Sequence, residues 1–136
     1  MSYERSVTVD LPFEQAVERV RDVLADQGFG VLTEIDVQET LRIKRGIEME
    51  PYVILGACNP DLAHRALEVD RGIGTLLPCN VVVAAAGEGS QVRVFDPLLM
   101  AQVTGREEIA PIAAEAEQRL SAALAALPQI DHCAPQ

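Results

Sequence analysis

Residues 79–96, "CNVVVAAAGEGSQVRVFD", constrain the fold more than any other stretch, because two strand-forming runs meet at "GEGS", whose glycines can take the positive φ of a tight hairpin turn. A hairpin commits the chain to an antiparallel pair. Val92 and Val94 alternate with Arg93, which predicts one buried and one wet face. The buried face needs a cover. Downstream, "TGRE" at 104–107 matches a capping box, and it precedes a helix whose Ile109, Ile112, Ala116, Leu120, Ala123, Leu124 and Leu127 form an apolar stripe. Pro111 falls early enough in that helix to be tolerated, at the loss of one backbone bond.

Upstream, "SVTV" at 6–9 has the alternation of a short strand, and "DLP" at 10–12 opens a helix with proline in its first turn. Phe13, Ala16, Val17, Val20, Val23 and Leu24 share one face of it, and Gly28 is placed to end it in a left-handed conformation. "FGVLTEI" at 29–35 reads as the second strand. Asp36 and Glu39 match a capping box, so "VQETLRIKRG" is a short helix with Val37, Leu41 and the stem of Lys44 directed inward, stopped at Gly46. After Pro51, "YVILGAC" is a strongly apolar strand. Asn59 then suits an N-cap with Pro60 at the first helical position and Asp61 near the positive helix end, which makes "PDLAHRALEV" a helix burying Leu62, Ala66, Leu67 and Val69. "RGIGTLLP" is a loop whose Ile73, Leu76 and Leu77 are expected to fold back onto the core.

The count is five strands and four helices, an α+β layer with an antiparallel sheet of about five strands and helices packed on it. A chain of 136 residues fits one domain, read as residues 1–127, with residues 128–136 as a flexible C-terminal tail. Twenty-one acidic against 11 basic residues give a formal charge of −10, which repels phosphate backbones and anionic lipid. Neither a Gly-rich phosphate fingerprint nor an aromatic and basic interleaving is present, so nucleic acid is not an expected partner. "VVVAAAG" from Val81 is too short to span a bilayer, and "MSYERSVTV" does not read as a secretory leader. With three cysteines, two of them among apolar neighbours, a disulfide framework is not expected and the reducing cytoplasm is the expected location.

"ILGACNPDLAHRAL", "LLPCNVVV" and the opening "VDLPFEQAVERVRDVLADQGFGVLTEIDVQETL" together resemble the prokaryotic family called domain of unknown function 302, over about residues 3–126. The resemblance implies a TATA-box-binding-protein-like fold class, in which a curved antiparallel sheet carries helices, and a homodimer. It implies no activity and no cofactor, and the fold comparison brings no DNA binding. The doubled Cys-Asn pattern of one subgroup is intact here at Cys58-Asn59-Pro60 and Pro78-Cys79-Asn80.

Those five residues, Cys58, Asn59, Pro60, Cys79 and Asn80, are the candidate ligand-binding set. A thiol at a helix N-terminus is shifted toward thiolate by the backbone amides and the dipole, which is the position of Cys58. If its strand neighbours that of Cys79, the two sulfurs approach each other, and a redox pair, a persulfide carrier or a soft-metal site at Cys58 and Cys79 becomes available. The alternative is that both are small buried apolar residues. Asn59 and Asn80 either face one pocket or serve locally, Asn59 as the cap and Asn80 by tying the glycine-rich loop to the sheet. His64 is the only third metal ligand in the region and reads first as a solvated surface residue; His132 and Cys133 form a pair in the tail. Glu34, Asp36, Glu48 and Glu50 read as exposed background, and no Ser-His-Asp triad can be assembled. The function classes left are a small-ligand or soft-metal binding homodimer, a structural or protein-interaction module, and a cysteine-dependent enzyme lacking a recognisable base.

Overall fold

The computed structural model describes residues 2–130 and orders the chain as β1 (Glu4–Val9), α1 (Phe13–Asp26), β2 (Gly30–Asp36), α2 (Val37–Arg45), β3 (Tyr52–Cys58), α3 (Pro60–Val69), β4 (Cys79–Ala86), β5 (Gly89–Phe95), α4 (Leu99–Thr104) and α5 (Ala110–Ala125). Turns of 3-10 helix lie at Arg71–Leu76 and Glu107–Ile109. The strands form one antiparallel sheet in the order β1-β5-β4-β3-β2. The expected hairpin joins β4 to β5, with Ala86 opposite Gly89 and Gly87 at φ +60° in the turn.

Strand alternation decides where the core sits. Val7 and Val9 of β1, Val92 and Val94 of β5, Val81 and Val83 of β4, and Val53, Leu55 and Ala57 of β3 occupy one face, and all but half-buried Val7 are fully buried. Helices α1 and α5 cover it with Ala16, Val20, Val23 and Leu24 from one and Ala116, Leu120, Ala123 and Leu124 from the other. A smaller core of Ala66, Ile73, Met100, Ile109 and Ala113 forms where α3, α4 and α5 meet the 3-10 turns. Burying the Ser90 hydroxyl on the main face is offset by its bond to the Leu11 carbonyl at 2.8 Å.

Helix ends follow local chemistry. The Asp36 side chain accepts from the Glu39 N–H at 2.9 Å, and Gly46 at φ +65° ends α2. At the end of α1, Gly28 takes φ +85° and turns the chain toward β2. Among the described residues, no helix is long and apolar enough to cross a membrane.

The structure departs from the sequence expectation at several points. The "TGRE" box does not open the last helix: Thr104 is the last residue of α4, its hydroxyl donates to the Met100 carbonyl at 2.8 Å, and Gly105 at φ +69° ends that helix. The α4 helix is therefore an additional element. Pro111 lies in the first turn of α5, where an N–H has no intrahelical partner in any case, so no backbone bond is lost. Ile73 is buried and Leu77 half-buried as expected, but Leu76 is exposed, as is Lys44. Residues 128–130, read as the start of a tail, run along β1: the Asp10 N–H donates to the Pro128 carbonyl at 2.7 Å and the Ile130 N–H to the Thr8 carbonyl at 2.9 Å. His132 and Cys133 lie outside the described residues.

Candidate functional site

Cys58 is the last residue of β3, and the chain passes directly into α3. Extended backbone at Asn59 lets its side-chain oxygen turn back and accept from the Leu62 N–H at 3.2 Å, the N-cap geometry that the Asn-Pro pair favours. Asn59 is only 9% exposed, and its amide nitrogen packs over Gly28, where an added Cβ would lie 3.0 Å from it. From α5, Arg119 donates to the Gln27 carbonyl at 3.1 Å and to Glu115, which also accepts from Arg65 of α3 at 3.0 Å. The two guanidinium groups hold the Glu115 carboxyl below the usual carboxylate range. This network ties α1, α3 and α5 together behind the first motif. Pro60 itself is exposed.

The second motif starts a strand instead of ending one. The Leu77–Pro78 peptide is cis, and β4 then pairs with β3 so that Cys79 lies opposite Ala57 and Asn80 opposite Gly56. Alternation puts Cys79 on the helix-covered face with buried Ala57 and turns Asn80 to the other face, where it is exposed. Gly56 has no room for a side chain: an added Cβ would meet the Thr33 hydroxyl at 2.2 Å and the Pro78 ring at 3.0 Å. The 3-10 turn before the motif is held by Asp70, which accepts from the Gly72 N–H at 2.9 Å, and by the Thr75 hydroxyl, which donates to the Gly72 carbonyl at 2.8 Å. Those two residues hold the glycine-rich turn at the place where Asn80 was expected to.

Together the motifs border two adjoining spaces. An inner cavity of about 40 Å³ is lined by Cys58, Asn59, Pro78 and Cys79 together with apolar side chains of α3, α4 and α5. An outer cleft of about 270 Å³ is lined by Thr75, Leu76, Asn80, Phe95 and Pro97, and it shares Leu77, Pro78, Cys79 and Met100 with the inner cavity. Of the five sequence-predicted residues, Cys58, Asn59 and Cys79 meet at the inner cavity, Asn80 faces the outer cleft, and Pro60 borders neither. Asn59 and Asn80 line different spaces, Asn59 the inner cavity and Asn80 the outer cleft.

Both thiols are free and half-buried. Burial, with a smaller contribution from the charge of the nearby Cys58, pushes the Cys79 thiol up from its usual 9.0 to about 11, so at neutral pH Cys79 is a protonated, polarisable wall group. His64 lies on the solvent side of α3, 3.7 Å from Glu68, and lines neither space. No cluster of three or more metal-ligating side chains occurs among the described residues. Glu34 pairs with Arg21, Asp36 is committed to its cap, and Glu48 and Glu50 are exposed. Of the residues that border both spaces, Leu77 falls in the "RGIGTLLP" loop, and Met100 was not among the sequence candidates. Met100 belongs to α4, and the usable signal was Gly105, a helix-stop residue after "LMAQVT".

The comparisons with known proteins agree with this architecture. The family model described as "Domain of unknown function DUF302" matches residues 5–127. A crystal structure of an uncharacterized conserved DUF302 protein from Bacillus stearothermophilus is similar at 32% sequence identity, with a TM-score of 0.85 over 92% of this chain and 98% of that one. Among curated proteins, none matches the chain.

Proposed function

The chain belongs to the DUF302 family, and from that premise, which supplies a fold and no activity, we propose that it is a small-ligand binding domain whose site lies at the two Cys-Asn motifs. The observation that supports this most is that Pro78 and Cys79 border both an apolar inner cavity and an outer cleft, with Cys58 and Asn59 on the inner side and Asn80 on the outer. A concave apolar surface with a few convergent polar groups is the usual form of a small-molecule site. The protonated state of Cys79 at neutral pH favours binding over nucleophilic catalysis at this thiol. A soft monovalent metal ion, held by Cys58 and Cys79, is the variant of this reading that thiol coordination chemistry allows.

The test is protection of Cys79 from N-ethylmaleimide by the small-molecule fraction of a cell extract, paired with native mass spectrometry. A ligand at 1:1 stoichiometry that slows Cys79 labelling and is lost in Cys79→Phe is the expected result. An unchanged labelling rate, or a ligand retained by Cys79→Phe, overturns the reading.

A second reading, an interaction module, is favoured by the apolar side chains left in solvent on β2 and around α2: Leu32 at 69%, Ile35 at 50%, Ile43 at 66% and Ile47 at 44% exposure. The β2 strand is also a sheet edge. We propose a homodimer through this region in a reducing, cytoplasmic setting, in keeping with two free thiols. Sedimentation velocity of Leu32→Lys and Ile43→Lys variants tests it: a dimer that becomes a monomer in either variant is expected, and a monomer in the unaltered protein overturns it.

A further inference from the structure

We infer that the inner cavity and the outer cleft are two parts of one pocket, divided by the side chains of Leu77 and Met100, and that this pocket takes a small amphipathic molecule, apolar at its inner end and hydrogen-bonding at its outer end. The inference rests on the small-ligand reading above and adds to it the ligand class and the moving part.

Size is the first argument. The inner cavity, at about 40 Å³, has room for no more than a few water molecules, each of which needs about 10–15 Å³ of such space. It is too small to be a ligand site alone. The outer cleft, at about 270 Å³, falls just short of the usual range for such sites, which begins at about 300 Å³. Joined, the two reach that range.

The nature of the wall is the second argument. Four residues, Leu77, Pro78, Cys79 and Met100, border both spaces. Pro78 is seated against Gly56 and the Cys79 backbone is paired in the β3–β4 ladder, so this part of the wall is fixed at its backbone. Leu77 and Met100 are held by side-chain packing in the smaller core and not by the sheet. Leu77 follows a 3-10 turn, and Met100 sits on a helix of six residues. Methionine is unbranched and soft and repacks among rotamers at low cost, so a shift of its side chain joins the spaces without moving the backbone.

Polarity runs in one direction through the joined pocket. The inner end is closed by Leu62, Ala66, Ile112 and Ala113. The outer mouth carries the exposed Asn80 amide and the Thr75 oxygen, whose hydrogen is already given to Gly72, which leaves the oxygen free to accept. Leu76 and Phe95, each about two-fifths exposed, form an apolar rim between the ends. An apolar chain with one polar head matches this order.

The probes are the linear alcohols from 1-propanol to 1-hexanol, titrated into the full chain carrying carbon-13 methionine methyls. Met100 reports on the wall, and Met49, which borders neither space, is an internal control. Saturable shifts at Met100 and none at Met49 are expected, with affinity rising about fourfold per added carbon, the ratio equivalent to about 0.8 kcal/mol per buried CH₂. Ala113→Leu, or from the α3 side Ala63→Val, fills the inner end and flattens this chain-length series while leaving 1-propanol within twofold; either variant suffices if the other fails to fold. Asn80→Ala weakens all the alcohols by a similar factor of three to five. Saturation with a chain-length series unchanged in both filled variants overturns the joined pocket and leaves the small-ligand reading standing. No saturable shift with any alcohol overturns the joined pocket, and the Cys79 protection experiment then decides the small-ligand reading separately.

Discussion

The two Cys-Asn motifs are near mirror images in sequence and opposite in use. Cys58-Asn59-Pro60 leaves a strand and enters a helix, so the asparagine is buried and its oxygen is consumed by a backbone N–H. Pro78-Cys79-Asn80 enters a strand, so alternation turns the half-buried cysteine toward the helix-covered face and leaves the asparagine in solvent. The dipeptide does not determine the role; the direction in which the chain crosses the sheet end does. One motif builds structure with its Asn, and the other presents it.

The second motif also carries a thiol whose ionisation depends on folding. Cys79 ionises near 9.0 when unfolded and at about 11 when folded, so between these values the native state keeps a proton that the unfolded state has released. Stability is therefore unaffected by this group below pH 9 and falls as pH rises from 9 toward 11, by about 2–3 kcal/mol in all. Urea unfolding at pH 8 and at pH 11 should show this loss in the unaltered protein, and a loss smaller by that amount in Cys79→Ser. An undiminished loss in Cys79→Ser would overturn the assignment of this pH dependence to the Cys79 thiol.

Gly56, two residues before the first motif, is where the second motif closes on β3, since Pro78 packs over it. Gly56→Ala drives a methyl group into the Thr33 hydroxyl and the Pro78 ring and is expected to cost about 1–3 kcal/mol. Removing the nearer obstacle in a Gly56→Ala, Thr33→Ala double variant should recover at least about 0.5 kcal/mol beyond additivity. Gly30→Ala on β2, with no atom within 4 Å of the added carbon, should stay within about 0.5 kcal/mol of the parent. A Gly56→Ala variant as stable as Gly30→Ala would mean that the packing of Thr33 and Pro78 over Gly56 carries no constraint.

Local features were legible in the sequence, and features that depend on register were not. The hairpin turn at Gly87, the Asp36 and Asn59 caps and the stop at Gly46 each require only residues within four positions, and each is present. The α4 helix escaped notice because six residues carry little propensity signal and the element is held by burying Met100 in the smaller core. Thr104 was misassigned for a related reason: a threonine between two helices can serve either, and its bond to the Met100 carbonyl decides the matter. The candidate site was legible as a stretch but not as a surface. Whether Asn80 joins Asn59 depends on Cys79 pairing with Ala57, a contact 22 positions apart that no local pattern encodes.

The smallest expected effects separate the two asparagines directly. Asn59→Ala removes the acceptor for the Leu62 N–H at the start of α3 and leaves a nearly buried donor without its partner, a loss of about 1 kcal/mol by the usual cost of an N-cap deletion. Asn80→Ala removes an exposed amide from the outer strand face and should stay within about 0.5 kcal/mol in the same urea titration. The functional readout should invert the order. Asn80→Ala weakens ligand capture at the outer mouth in a protein of unaltered stability, whereas Asn59→Ala acts first through the start of α3, whose cap it removes. If both substitutions lower stability equally, Asn80 is a structural residue after all, and the outer cleft loses the one polar side chain that the second motif presents to it.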